Sequence, residues 1–483
     1  MNSLKKNLFY QSAYQILQII LPLVTAPYIA RVLGPEKIGI YSYTFNVASY
    51  FMIFANLGIA NYGNREIAKA RQNYEKLNQT FSNIVSLHMG LTIVMMLFYT
   101  LYLCFWKKDI YSYICFIYLI GTFFDINWFF FGIEKFKITV TRNTIIRLIS
   151  VVSIFIFVKD QNDLWKYILI MALGNAIGQS AVWIVVPQYI KLVKPQWKEI
   201  KKHVKPLLIL FIPVIAVSLY KSMDKIMIGT FSNNTQLGYF ENAEKIINIP
   251  LSLITAVGTV MLPKMSNMVA SGNSKQILNY IKISIKYVMI IAIAFSFGTA
   301  AIAPVFTPLF FGKSFIESGV LIQMLSITIP FIAFANVLRT QFLIPNSYDR
   351  SYTISILLGA GLNVIVNVLL IPQLGALGAV IGTIIAETSV CLIQSVAVSN
   401  RLPILQYVKE SIYFIFLGLG MYFLIIKMGQ KCESTFWTLG CQILVGGVVY
   451  VTGAMIFLYN TRDEIFLNIL NHLKYKIEKR KKI

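Results

Sequence analysis

Residues 283–308, ISIKYVMIIAIAFSFGTAAIAPVFTP, carry one charge near their start, Lys286, and none afterwards. A bilayer core about 30 Å thick needs roughly 20 apolar residues in each crossing helix, so this stretch reads as one membrane span. The same reading repeats outward in both directions. It holds at 8–33, 38–60, 81–104, 111–133, 140–158, 165–187, 207–230 and 237–262 before it, and at 319–342, 352–371, 376–398, 411–426 and 436–459 after it. About fourteen spans in 483 residues leave roughly ten residues of loop apiece. The expected fold is therefore an all-α integral membrane protein with about 14 transmembrane helices. No extramembrane stretch is long enough for a catalytic domain, which points to a non-enzyme working inside the bilayer.

Composition agrees. Hydrophobic residues make up 57% of the chain and charged ones 13%, about half the charged share of a soluble domain. Lys and Arg number 43 against 20 acids, and most of the excess falls in alternate loops and in the tails. That distribution is the positive-inside pattern, not a nucleic-acid surface, and it places both termini in the cytoplasm. The basic start, residues 1–7, leads into a span too long for a signal-peptide core and lacking a small-residue cleavage pattern, so the first helix is expected to be retained. The five cysteines lack C-x-x-C spacing and the three histidines are far apart, so neither metal nor cofactor is expected.

A basic, polar stretch at 191–206 divides the first twelve helices into two sets of six. The expected organisation is an N-terminal lobe at 1–190, a linker at 191–206, a second lobe at 207–400, two further helices at 401–460 and a basic tail at 461–483. Leu173-Gly174-x-x-Ile177-Gly178 recurs as Leu377-Gly378-x-x-Ile381-Gly382, Pro22 has a counterpart in Pro213, and Gly39 one in Gly238. Two even-numbered halves insert the same way round, which implies a pseudo-two-fold axis along the membrane normal and a central cavity. Pro22, Pro27, Pro213, Pro250 and Pro330 lie inside spans, as kinks around such a cavity or as packing kinks.

Charges inside the spans carry the chemistry. Lys221, Asp224 and Lys225 share one helical face, and Glu241, Glu244 and Lys245 repeat that spacing in the next helix. Asp125, Arg147, Arg339 and Glu387 are also embedded. One lone charge near the bilayer centre costs about 2.5–3.5 kcal/mol, so these groups must pair or line a wet cavity. Arg147, Lys221, Lys225 and Arg339 are candidate substrate-binding cations, the guanidinium being able to fork onto phosphate oxygens. Asp125, Asp224, Glu241, Glu244 and Lys245 are candidates for coupling or gating, with Asp125 either neutralising Arg147 or carrying an ion. Gly312-Lys313-Ser314 resembles the end of a phosphate-binding loop, but Thr307 stands where its first glycine is required. In the tail, Ile465, Phe466, Ile469, Leu470, Leu473 and Ile477 share a helical face ahead of clustered lysines, as either an inner-leaflet helix or a solvated tail.

Residues 21–36, LPLVTAPYIARVLGPE, resemble the opening signature of the Wzx-type polysaccharide flippases of the multidrug/oligosaccharidyl-lipid/polysaccharide exporter superfamily. Residues 127–137, NWFFFGIEKFK, 224–229, DKIMIG, and 237–243, LGYFENA, resemble further segments of that family. The resemblance implies two six-helix lobes in a V with two added helices beside them. It implies alternating-access export, from inner to outer leaflet, of an undecaprenyl-pyrophosphate-linked oligosaccharide repeat unit for capsule or O-antigen. Implied partners are this lipid-linked oligosaccharide, membrane lipid, and polysaccharide polymerase and assembly proteins, in the bacterial cytoplasmic membrane, with no nucleic acid. Helices thirteen and fourteen would form a groove for the lipid tail. A cation-coupled drug exporter of the same superfamily, which wants an acidic cavity, and a lipid-linked peptidoglycan precursor flippase are the alternatives.

Overall fold

A computed structural model describes the backbone at residues 3–272, 274–468 and 470–472; the side chains of 3–19, 212, 213, 216, 217, 219–221, 274 and 275 lie outside that description. Among the described residues there are helices and no strand. The chain forms two compact units, Met1–Asn242 with Ala360–Gly382, and Ala243–Gly359 with Thr383–Ile483.

The first unit contains α1 (Ser3–Asn56), α2 (Ile59–Ala70), α3 (Tyr74–Phe105), α4 (Ile110–Phe123), α5 (Asn127–Gly132), α6 (Phe136–Phe157), α7 (Leu164–Ala181), α8 (Trp197–Phe231) and the start of α9 (Asn234–Ala270). The second continues with α10 (Ser274–Phe310), α11 (Ile316–Leu325), α12 (Thr328–Leu338), the first half of α13 (Asp349–Leu374), most of α14 (Ala376–Val398), α15 (Ile404–Lys431) and α16 (Phe436–Asn460). Ten helices among the described residues are long and apolar enough to cross a membrane, and α11 with α12, bent by 44°, makes an eleventh. These eleven match the spans expected at 81–187 and 237–459. The other three, 8–33, 38–60 and 207–230, fall in α1 and α8, both of which contain side chains outside the description.

The expected boundary between the first two spans is a kink inside α1. Gly34 adopts φ 73° and ψ 173°, a conformation open to glycine, and Pro35 restarts the helix. Four residues on, Gly39 lies against α9 so closely that a Cβ there would sit 1.7 Å from the Asn234 carbonyl oxygen. Gly238 returns the contact, its Cβ position being 1.9 Å from the Pro35 carbonyl oxygen. The two glycines that mark equivalent positions in the internal repeat thus meet at one reciprocal crossing.

The core of the first unit is built on the α5 segment of the family-like NWFFFG stretch. Phe81 of α3 stacks on Trp128 at 5.5 Å and meets Phe129 edge-on at 4.8 Å, with Ile59, Ile67, Val182 and Val186 around them. The residues expected as a loose linker are partly fastened to this core. Asn78, Ser82 and Asn83 of α3 accept the backbone N–H groups of Lys191, Val193 and Gln196, and α8 begins at Trp197, ten residues before the expected span.

Two spans are broken, each for a readable reason. In 111–133 the helix stops after Phe123. Asp125 then accepts the Asn127 N–H at 2.9 Å to start α5, and the Trp183 indole N–H caps the Phe124 carbonyl at 2.8 Å. In 319–342 the cause is Pro330, which has no N–H to give the carbonyl of Ser326. That carbonyl accepts the Ser296 hydroxyl at 2.7 Å and the Ile329 N–H at 3.2 Å, and the span bends there. Past α12 the chain widens into a π-helical turn over Arg339–Leu343.

Candidate functional site

In the first unit, α1, α8, α9 and α13 bring polar side chains together among apolar helices. Lys225 on α8 approaches Glu241 on α9, Nζ to Oε2 3.0 Å, and the same oxygen accepts the Ser42 hydroxyl of α1 at 2.8 Å. Both charged side chains are mostly buried, which an ion pair tolerates when its remaining oxygens are bonded. One residue earlier on α8, Asp224 points elsewhere. It is buried and accepts the Asn367 amide N–H at 2.7 Å, and Asn367 also donates to Asn363 one turn away on α13. Next to this lies a tyrosine group: the Tyr41 ring meets Tyr167 edge-on at 5.0 Å, and its hydroxyl is 3.3 Å from that of Tyr118.

A second network sits at the α4–α5 break. Asp125 accepts both the backbone and the side-chain N–H of Asn127. Asn127 and Arg142 both donate to the side-chain carbonyl of Gln179, and Arg142 donates to Asn127 in turn. The cation in this network is Arg142, which lies inside the span expected at 140–158 and was not among the embedded charges named from sequence. Arg147, five residues further along α6, is half-buried and has interactions of its own.

The second unit is different in kind. A cavity of about 800 Å³ opens among α10, the α11–α12 elbow, α14 and α15. Its walls are apolar, with Ile293, Phe297, Ile327, Phe331, Leu392 and Ile415 among them. Several hydroxyls in that wall are spent on backbone: Ser326 donates to Ile322, Ser399 to Val396 and Ser411 to Tyr407. Of the two last helices, α15 lines the cavity. No described residue of α16 does; it braces α10 instead, its Tyr450 hydroxyl donating to the Ile290 carbonyl at 2.9 Å. Arg339, in the π-helical turn, lies 5.9 Å from the ring centre of Tyr352. Glu244 and Lys245 are half-buried, one turn past Glu241 on α9. The Lys221 side chain lies outside the described residues.

Of the candidates named from sequence, the structure brings together Lys225 and Glu241. It gives Asp224 and Asp125 amide partners that sequence had not singled out. Ser42, Asn127, Arg142, Gln179, Asn363 and Asn367 are the additions. Arg142 carries a charge inside an expected span; the signal of the others was a polar side chain inside an apolar span, weaker than a charge and shared with many packing residues.

The model of the family described as polysaccharide biosynthesis protein matches residues 4–269. A protein of Escherichia coli (strain K12) named an O-antigen transporter is 28% identical over 403 residues, covering 81% of this chain and 95% of that protein. The capsular polysaccharide biosynthesis protein CapF of Staphylococcus aureus is 23% identical over 400 residues, covering 79% and 96%. Among solved structures, the lipid II flippase MurJ in an inward closed conformation superposes with a TM-score of 0.76 at 17% identity, covering 94% of this chain and 99% of that one. At that identity the likeness bears on the fold, a multi-span helical membrane protein. The chain belongs to the polysaccharide biosynthesis protein family, in agreement with the resemblance of residues 21–36 to the Wzx-type flippases.

Proposed function

We propose that the chain carries an undecaprenyl-pyrophosphate-linked oligosaccharide repeat unit from the inner to the outer leaflet of the bacterial cytoplasmic membrane, by alternating access, for surface polysaccharide synthesis. The observation that supports this reading most is the cavity of the second unit. Its volume of about 800 Å³ falls within the range of specific ligand sites, and its wall offers almost nothing to a polar molecule. An isoprenoid chain is the part of such a cargo that fits it.

The other end of the cargo is a diphosphate bearing a glycan, which cannot enter hydrocarbon unaided. Arg147, Lys221, Lys225 and Arg339 are the cations assigned to it, working in a central cavity between two six-helix lobes. Lys225 is held ready by Glu241, so an arriving phosphate would compete with that carboxylate and not with bulk water. Asp224, buried between amides, is the best-supported coupling group, for a sodium ion or a proton. Asp125, Glu241, Glu244 and Lys245 act with it in coupling or gating. Both termini face the cytoplasm, and polysaccharide polymerase and assembly proteins take the product outside.

The test is leaflet accessibility of a fluorescent lipid-linked oligosaccharide in liposomes with and without the purified protein, beside a pyrophosphate-free glycolipid and a cationic dye. Selective movement of the pyrophosphate-linked lipid is expected. Movement of the dye under an ion gradient, with the lipid stationary, would overturn the reading in favour of drug export.

A further inference from the structure

The end of α16 is fastened to the start of the apolar run of α10. Asp463, three residues past α16, accepts from Lys286 Nζ at 2.8 Å through Oδ2 and from the Tyr287 hydroxyl at 2.8 Å through Oδ1. The same Oδ1 accepts the Phe466 N–H at 3.1 Å, and the Asp463 carbonyl accepts the Leu467 N–H at 2.9 Å. Asp463 is therefore the N-cap of a further helix, whose first turns are described to residue 472. Burial would push this carboxyl up. Lys286, the Phe466 N–H and the Tyr287 hydroxyl outweigh it and hold the group below the ordinary carboxylate range. One turn earlier on α10, Lys282 lies 3.9 Å from Glu410 of α15.

The position of this clasp matters. Tyr287 opens the uncharged stretch of α10, and α16 ends at Asn460, so Asp463 sits where two spans leave hydrocarbon for water. The capped helix keeps Ile465, Phe466 and Leu470 half-buried and turns Asn468, Asn471 and His472 outward. Beyond it, outside the described residues, the sequence carries Leu473 and Ile477 at the expected apolar spacing, with Lys474, Lys476 and the run 479–482, all basic. An apolar face starting at the interface and followed by clustered cations is complementary to an anionic lipid surface.

We propose that the helix capped by Asp463 lies at the membrane interface and, with the basic residues that follow it in sequence, docks on anionic lipid headgroups, the Asp463–Lys286–Tyr287 clasp fixing where it starts. Met289 and Ile293, two and six residues beyond Tyr287, line the apolar cavity. The docked helix thus lies at the end of α10 from which that cavity begins.

The full chain, with exposed Cys104, Cys432 and Cys441 replaced by serine, would carry Leu470→Cys labelled with a polarity-sensitive fluorophore, in nanodiscs of phosphatidylcholine alone or with phosphatidylglycerol. A blue shift only on the anionic discs is expected, lost at about 1 M salt, where the screening length falls to about 3 Å. Asn468→Cys, on the opposite face, should shift far less. Neutralising residues 479–482 to alanine should abolish the shift, and Asp463→Asn, which keeps the cap but loses the ion pair, should lower probe anisotropy. If Leu470→Cys does not fold, Phe466→Cys, one turn earlier on the same half-buried face, gives the same contrast between lipids. Emission independent of lipid charge and salt overturns the proposal, as does a shift that appears only when another protein is added.

Discussion

The two units handle polarity in opposite ways. In the first, Lys225, Glu241 and Ser42 meet at one carboxylate, and Asp224 is matched to Asn367, so charge is carried into the membrane and held there by pairing. In the second, Ser326, Ser399 and Ser411 turn back onto their own helices, Ser296 is spent on the Ser326 carbonyl, and the cavity keeps an apolar wall. A cargo with a charged head and a hydrocarbon tail needs both solutions in one chain, and a carrier for small cations would need only the first. The contrast is thus a functional statement, open to attack from either side.

Removing one partner of the first unit's pair should have the largest effect. Glu241→Ala leaves a mostly buried ammonium beside an unmatched hydroxyl and should cost about 3 kcal/mol or more, seen as a collapse of detergent-extracted folded protein. The double variant Lys225→Met/Glu241→Met should recover folding and still fail in lipid export; recovered export would reduce the pair to packing. Asp224→Asn keeps a hydrogen bond to Asn367 but no charge. It should leave protein level unchanged while export falls about tenfold, equivalent to about 1.4 kcal/mol, and loses its dependence on an ion gradient. Export that keeps its ion dependence would remove Asp224 from coupling.

Effects in the second unit should be smaller and of another kind. Ala300→Phe puts a ring into the cavity and should weaken binding of a long-chain polyprenyl phosphate several-fold without lowering thermal stability. Unchanged binding would mean the tail lies elsewhere. The smallest effect lies in the first unit away from its ion pair and serves as a control. His203, at the start of α8, has its Nδ1 2.5 Å from the Tyr62 hydroxyl, and burial pushes it below its ordinary 6.5. The unfolded chain therefore takes up a proton there before the folded one does, so this contribution is complete above pH 6.5 and is lost as pH falls through the folded value. His203→Gln should flatten the acid side of the melting profile by a degree or two and leave export at pH 7.5 unchanged.

Much of the architecture is legible in the sequence because hydrocarbon is an unforgiving solvent. Eleven of the expected spans have counterparts among the described helices, and the kink at Gly34 falls at the expected boundary between two of the other three. Breaks within spans are harder to read. Nothing adjacent to Asp125 announces that Trp183, from α7's far end, will cap the Phe124 carbonyl. Pro330 does announce the elbow, but the acceptor it frees is met by Ser296 from another helix. The site residues divide likewise: charges stand out in an apolar span, whereas Asn363, Asn367 and Gln179 become informative only with their partners in place. The cavity leaves no trace in composition, since its lining uses the same residues as any lipid-facing surface.

The fastening of residues 191–196 to α3 bears on how the chain can be made and cut. Asn78, Ser82 and Asn83 leave the ribosome 113, 111 and 113 residues ahead of the N–H groups they will accept. Through most of the synthesis of the first six spans these acceptors lack the backbone donors they will meet, Asn83 having only Gln79 of its own helix, and the segment that supplies those donors is the last to arrive. A split version of the protein should therefore be divided after Gln196. A division at residue 190 would send the first fragment into the membrane with its seal left on the other piece.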